Sequence, residues 1–118
     1  MSDDEKRKHH RFLALLDVMV LPGERIPADL KLMTVDIATG GARCASNRAL
    51  DADLPLKLTL TLIGGNLREP AKMEIEAAVL RCTEKPGAVE SRRFEIALRF
   101  TRVESEDRRR LQGYLNSL

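Results

Sequence analysis

The stretch Leu54-Pro-Leu-Lys-Leu-Thr-Leu-Thr-Leu62 places a leucine at every second position, with mostly polar residues between. Successive side chains of a β-strand point to opposite faces, so all of these leucines would lie on one face. An α-helix would distribute them around its axis and could not bury them together. The stretch therefore predicts a half-buried β-strand that contributes one face to a hydrophobic core.

Other stretches of the chain carry the same alternation less regularly. Proline and glycine mark turns at Pro22-Gly23 and in the loop Ile63–Pro70. The alternation predicts further strands at Phe12–Val20, Ala28–Ile37, Ala42–Ala45, Met73–Cys82 and Arg93–Phe100. In the second of these the phase changes near Thr34 and Val35, which indicates a bulge or a change of face.

The last segment changes to a helical period. Ser105 is a suitable N-cap, because its side-chain oxygen can accept a backbone N–H of the first turn. One face of this predicted helix carries Leu111, Tyr114, Leu115 and Leu118. Six antiparallel strands and one closing helix predict a mostly β fold, a small six-stranded β-barrel with a C-terminal α-helix, because closure removes exposed sheet edges.

The composition is that of one globular domain. At 118 residues the chain can bury one core but not two. No apolar run approaches the roughly 20 residues of a membrane-spanning helix, and no signal peptide is visible. We therefore expect a cytoplasmic protein without membrane insertion. Cys44 and Cys82 are far apart and lack Cys-x-x-Cys spacing, so we expect buried free thiols.

Groups suited to catalysis are scarce. The only histidines, His9 and His10, are adjacent in the chain and point in different directions, so a nucleophile with a base and an orienting group is hard to assemble. No residue at a metal-ligand spacing accompanies them. Gly40-Gly41 and Gly64-Gly65 match neither a P-loop nor a dinucleotide fingerprint. We therefore expect no enzymatic activity, no metal and no cofactor.

The stretch Lys6-Arg-Lys-His-His-Arg11 concentrates cationic side chains near the start of the chain. Arg7 and Arg11 could direct two guanidinium groups at one anion, since arginine binds phosphate bidentately and stacks on flat rings. Taken alone, such a run is more often a solvated arm. Together with Asp36 at a strand break, it indicates a guanine nucleotide with more than one phosphate, because guanine accepts at N7 and O6 and donates to a carboxylate at N1 and N2.

These motifs, in this order, resemble those of the PilZ domain family. Its members bind the bacterial second messenger cyclic di-GMP through an Arg-x-x-x-Arg motif and an Asp/Asn-x-Ser-x-x-Gly motif. The resemblance covers nearly the whole chain, in the segments Glu5–Arg11, Asp36–Gly41, Ala78–Arg81, Phe94–Phe100 and Glu104–Leu111. It implies a PilZ-like barrel whose ligand is cyclic di-GMP.

The resemblance also implies which residues bind the ligand. Arg7 and Arg11 would hold guanine edges and phosphates, and Asp36 would contact a guanine. Ala38 stands where the motif has serine, and one lost neutral hydrogen bond is worth about 0.5–1.5 kcal/mol, so binding would be weakened rather than abolished. The complete implied set is Lys6, Arg7, Arg11, Asp36, Ala38, Gly40, Gly41 and Arg81.

By resemblance, the protein is a receptor and adaptor with a flexible basic arm at residues 1–11 and a barrel with its helix at residues 12–118. Cyclic di-GMP would order the arm, and an unidentified partner protein of motility, pilus or exopolysaccharide machinery would read the changed surface. Ala38 keeps open an alternative, a PilZ-like protein-interaction module that has lost nucleotide binding.

A third reading is a barrel that binds single-stranded nucleic acid. Such proteins stack bases on aromatic side chains. The aromatic residues here are only Phe12, Phe94, Phe100 and Tyr114, most of which fit better in a core. We therefore expect no nucleic-acid partner.

Overall fold

A computed structural model of the chain describes residues 12–118. Alternating apolar residues form the strands, and the helical period forms one α-helix at the C-terminal end. The elements are β1 Phe12–Leu13, β2 Asp17–Val20, β3 Leu32–Ala38, β4 Gly41–Ser46, β5 Pro55–Leu62, β6 Ala71–Glu84, a short 3₁₀ helix Glu90–Arg92, β7 Phe94–Arg102 and α1 Ser105–Asn116. The strand predicted to begin at Ala28 thus begins at Leu32.

The strands close into a ring. The order around the ring is β3-β2-β5-β6-β7-β4, and β4 pairs again with β3, with every pairing antiparallel. β1 pairs with β3 beyond β2, so β1 and β2 are two halves of the first predicted strand. The predicted six-stranded antiparallel barrel with a C-terminal helix is confirmed.

The first strand is interrupted at residues 14–16, and the buried side chain of Thr34 explains the interruption. The Leu16 backbone N–H donates to the Thr34 hydroxyl oxygen over 2.9 Å. That hydroxyl donates in turn to the Ala14 carbonyl oxygen over 2.6 Å. The register of β3 against β4 also shifts between Thr34 and Asp36, which confirms the predicted bulge.

The core lies inside the ring and beneath α1. The leucines at positions 54, 56, 58, 60 and 62 are all buried, as their alternation predicted. From α1, Leu111, Tyr114 and Leu115 join this core, and the Tyr114 hydroxyl donates to the Ile63 carbonyl oxygen over 2.6 Å.

Three further details of the prediction were wrong. The residue that precedes α1 is Glu104 rather than Ser105, and its side chain makes no capping hydrogen bond. Leu118 lies beyond the end of the helix and is exposed. Cys44 is a buried free thiol, whereas Cys82 is only half-buried. Within residues 12–118, no helix has the length and apolar character needed to cross a bilayer.

Candidate functional site

The β3–β4 hairpin carries most of the site residues that the sequence predicts within residues 12–118. Ala38 ends β3 opposite Gly41 at the start of β4, with Thr39 and Gly40 as the turn between them. A Cβ atom added at Gly41 would collide with the carbonyl oxygen of Leu98 on β7. The glycine is therefore required by the close approach of β7, a role that its place in the motif does not reveal.

The register places eight residues on one outer face of the barrel. Directly opposed residues of an antiparallel pair share a face. One row across β3, β4, β7 and β6 is Asp36, Arg43, Ala97 and Arg81. The neighbouring row is Ala38, Gly41, Arg99 and Ala78. We call these two rows the arginine face. The row between them, Ile37, Ala42, Leu98 and Val79, is buried in the core.

The arginine face brings together four of the predicted site residues, Asp36, Ala38, Gly41 and Arg81, while Gly40 lies in the adjoining turn. Arg81 reaches this face because a register shift between Val79 and Arg81 adds one residue to β6. The predicted residues Lys6, Arg7 and Arg11 lie outside the described residues.

Sequence reasoning missed Arg43 and Arg99. The sequence did contain a signal for Arg43. A two-residue turn at Thr39-Gly40 pairs Ala38 with Gly41. Two residues further along each strand, Asp36 is paired with Arg43. The position of Arg99 depends on the pairing of β4 with β7, which local sequence does not reveal.

Asp36 is held by an ion pair across the hairpin. Nη2 of Arg43 lies 2.6 Å from Oδ2 of Asp36, and only 6% of the Asp36 side chain is exposed. A buried carboxylate is costly unless a partner compensates its charge. Arg43 itself is 41% exposed, so its guanidinium lies at the surface of the arginine face.

Arg43 also connects Asp36 to the β6–β7 ribbon. Its Nη1 lies 3.7 Å from Oε1 of Glu95, whose Oε2 lies 3.5 Å from Nζ of Lys85. Within residues 12–118, Nε of Arg43 is buried and has no hydrogen-bond partner. Burial, and secondarily the negative charge of Asp36, raise the pKa of the adjacent Cys44 thiol to about 12.

The described residues offer neither a metal site nor a surface groove that overlaps the arginine face. Among residues 12–118, no group of three or more histidine, cysteine, aspartate or glutamate side chains could hold a metal ion. A surface groove over β2, β5 and β6 is lined by exposed Met19 and Leu21 among charged side chains, and it shares no residue with the arginine face.

Known proteins resemble this chain in sequence and in fold. The family model for the PilZ domain matches residues 5–117. No curated protein matches the chain by sequence. The structure of the Bacillus subtilis inhibitor of motility (MotI/DgrA) aligns with a TM-score of 0.70 and 24% identity, over 93% of this chain and 48% of that protein. The chain thus spans about half of that protein's length.

A second solved structure is the PilZ domain of YcgR from Escherichia coli with c-di-GMP. It aligns with a TM-score of 0.68 and 16% identity, over 96% of this chain and 91% of that one. At these identities, both likenesses show a shared fold.

Proposed function

The chain belongs to the PilZ domain family, and we propose that it is a receptor for cyclic di-GMP that signals to a partner protein. The observation that carries the proposal is the arginine face, where Asp36 and Arg43 lie beside small side chains. The structural likeness to a PilZ domain solved with c-di-GMP supports this choice of ligand.

In this proposal, guanine recognition belongs to Asp36 and the two arginines of the Arg-x-x-x-Arg motif. The Asp36 carboxylate accepts hydrogen bonds from N1 and N2 of one guanine. Arg7 and Arg11 bind phosphate oxygens and guanine acceptor atoms, because a guanidinium presents paired donors in one plane. Residues 1–11 therefore close over the ligand from one side, and the barrel of residues 12–118 supports it from the other.

Further residues shape the proposed site. Ala78 and Ala97 are half-buried and carry only methyl groups on the arginine face, so a flat ring can approach the sheet closely there. Gly40 adds no side chain to the adjoining turn. Lys6 and Arg81 supply additional positive charge at the edges.

Ala38 weakens the site without removing it. A serine at this position would add one hydroxyl group, and one neutral hydrogen bond contributes about 0.5–1.5 kcal/mol. That contribution corresponds to roughly a tenfold change in affinity or less.

Calorimetric titration with cyclic di-GMP, with GTP as a control ligand, tests the proposal. We expect the unmodified protein to bind cyclic di-GMP, and Arg7→Ala, Arg11→Ala and Asp36→Ala each to abolish detectable binding. Arg48→Ala is the matched control, because Arg48 pairs with Asp29 and lies outside the arginine face. No heat of binding by the unmodified protein at high micromolar cyclic di-GMP would rule out the receptor function.

The alternative is a PilZ domain that has lost its ligand and acts only by binding proteins. Ala38 in place of serine is the observation that favours it. The substitution Ala38→Ser separates the two proposals: a modest gain in affinity supports a working site, and absence of binding in both forms supports the interaction module.

We propose that the partner is a protein of motility, pilus or exopolysaccharide machinery and that the signal is received in the cytoplasm. The likeness to an inhibitor of motility supports a motility partner, although the chain spans only about half of that protein. On this proposal the protein binds its ligand without transforming it and is not an enzyme, and we propose no cofactor. A partner captured from a lysate in the presence of cyclic di-GMP, but not with the Asp36→Ala variant, is the expected result.

A further inference from the structure

We infer that Arg43 is a positioning residue that holds the Asp36 carboxylate in the orientation that selects guanine. This inference rests on the proposed function, because it concerns the same cyclic di-GMP site. The Arg-x-x-x-Arg and Asp-x-Ser-x-x-Gly motifs do not include Arg43, and it enters through the pairing of β3 with β4.

The first step is geometric. Arg43 lies directly opposite Asp36 on the neighbouring strand, and its Nη2 contacts Oδ2 at 2.6 Å. A charge-assisted contact of that length is strong and directional. The second carboxylate oxygen is thereby fixed in space as well, because both oxygens lie in one rigid plane.

The second step concerns what holds Arg43. Its Nη1 faces Glu95 on β7 at 3.7 Å, so carboxylates from two different strands determine the plane of the guanidinium. The residue opposite Arg43 on β7 is Ala97, whose methyl group leaves the guanidinium room to lie across the row. A lysine could not do the same, because an ammonium group is a point charge without a fixed plane.

The third step is the unpaired nitrogen of the same side chain. Within the described residues, Nε of Arg43 is buried without an acceptor. A buried donor without a partner is rare in native proteins and calls for an explanation. The contact with Asp36 supplies that explanation. The guanidinium orientation that brings Nη2 to Asp36 is the one that leaves Nε without an acceptor.

The consequence is a difference between purines. Guanine offers N1–H and N2–H donors to a fixed carboxylate, whereas adenine has no such pair of donors on that edge. An Asp36 side chain without Arg43 would lose the 2.6 Å contact that orients Oδ2 and the positive charge that this contact supplies. We therefore expect Arg43 to govern affinity for cyclic di-GMP and the preference for cyclic di-GMP over cyclic di-AMP.

A double-mutant cycle on binding provides the test, since it separates an indirect role from a direct ligand contact. The variants are Arg43→Met, Asp36→Asn and the double variant, each titrated with cyclic di-GMP and cyclic di-AMP at a temperature where all are folded. We expect Arg43→Met to lose about tenfold in affinity for cyclic di-GMP, or about 1.4 kcal/mol. The double variant should bind no more weakly than Asp36→Asn alone.

Arg43→Lys keeps the positive charge and covers the case in which Arg43→Met does not fold. It should recover little of the affinity and little of the preference for cyclic di-GMP. The control is Arg48→Met, which removes an arginine from a different ion pair and should leave binding unchanged.

Two results would overturn the inference while leaving the receptor function standing. Unchanged or tighter binding by both Arg43 variants would show that Arg43 does not position Asp36. Additive losses in the double variant would show that Arg43 contacts the ligand itself. Absence of binding by the unmodified protein is a different result, which removes the receptor function and this inference together.

Discussion

An arginine–aspartate pair lies near the turn end of the β3–β4 hairpin and another lies just beyond its open end, and the shortest distance is the same in both. At the turn end, Nη2 of Arg43 lies 2.6 Å from Oδ2 of Asp36. At the open end, Nη2 of Arg48 lies 2.6 Å from Oδ2 of Asp29. The surroundings differ, because the Asp36 side chain is 6% exposed and that of Asp29 is 57% exposed.

This difference shows that the contact distance alone does not determine how much an ion pair contributes to the free energy of unfolding. The open-end pair makes more hydrogen bonds, since Nε of Arg48 also donates to both carboxylate oxygens of Asp29, at 3.1 and 3.0 Å. Water can replace each of those contacts, and exposed pairs contribute little to stability. At the turn end water is largely excluded from Asp36, so water cannot readily replace the 2.6 Å contact with Arg43.

The largest expected effect concerns the close approach of β7 to the turn end of the hairpin. Gly41→Ala would place a Cβ atom against the Leu98 carbonyl oxygen, so the hairpin or β7 must shift. We expect a loss of about 3 kcal/mol in the free energy of unfolding, the upper end for overpacking. Urea denaturation measures it.

Gly113→Ala on α1 is the matched control for that substitution. A Cβ atom there meets no other atom within 4 Å, and alanine favours a helix over glycine by about 0.8–1 kcal/mol. The same chemical change should therefore stabilise the protein. If Gly41→Ala unfolded at the same urea concentration as the unmodified protein, the turn end would be looser than the structure shows.

The next largest effect is the loss of stability when Arg43 is replaced, compared with the loss when Arg48 is replaced. Arg43→Met would leave the buried Asp36 carboxylate without this cation, and breaking fully buried pairs costs roughly 3–5 kcal/mol. Because 41% of the Arg43 side chain is exposed, we expect about 2 kcal/mol of destabilisation. Arg48→Met should shift the denaturation midpoint much less. If the two variants shifted the denaturation midpoint equally, the burial of Asp36 would not determine how much its ion pair contributes to stability.

The contrast between the two ends also explains how much the sequence could predict. The alternating leucines from Leu54 to Leu62 act through a local period, so β5 and its buried face were predictable. Asp36 was predicted as a site residue from its motif. The contact of Arg43 requires the register of the hairpin, and the collision that demands Gly41 involves Leu98, which lies far away in the chain.

The break in the first strand belongs to the same class of missed features. The sequence predicts one strand from Phe12 to Val20, but the Thr34 hydroxyl takes the place of the β3 backbone as partner of the Leu16 N–H and of the Ala14 carbonyl oxygen. The competing hydroxyl group lies on a different strand from the backbone groups that it binds. The alternation of apolar residues within one strand therefore cannot predict the break.

The smallest expected effect is a pH dependence at the open end. Arg48, chiefly through its hydrogen bonds, lowers the pKa of Asp29 below its usual value of 3.8. The pair therefore contributes to stability above about pH 3.8, and the contribution is lost as pH falls through the lower pKa of the folded state. The midpoint difference between the unmodified protein and Arg48→Met should be small near neutral pH, decrease in strong acid and also decrease in high salt, since exposed charges are screened. A difference that persisted in strong acid would show that Arg48 contributes through packing of its aliphatic stem rather than through charge.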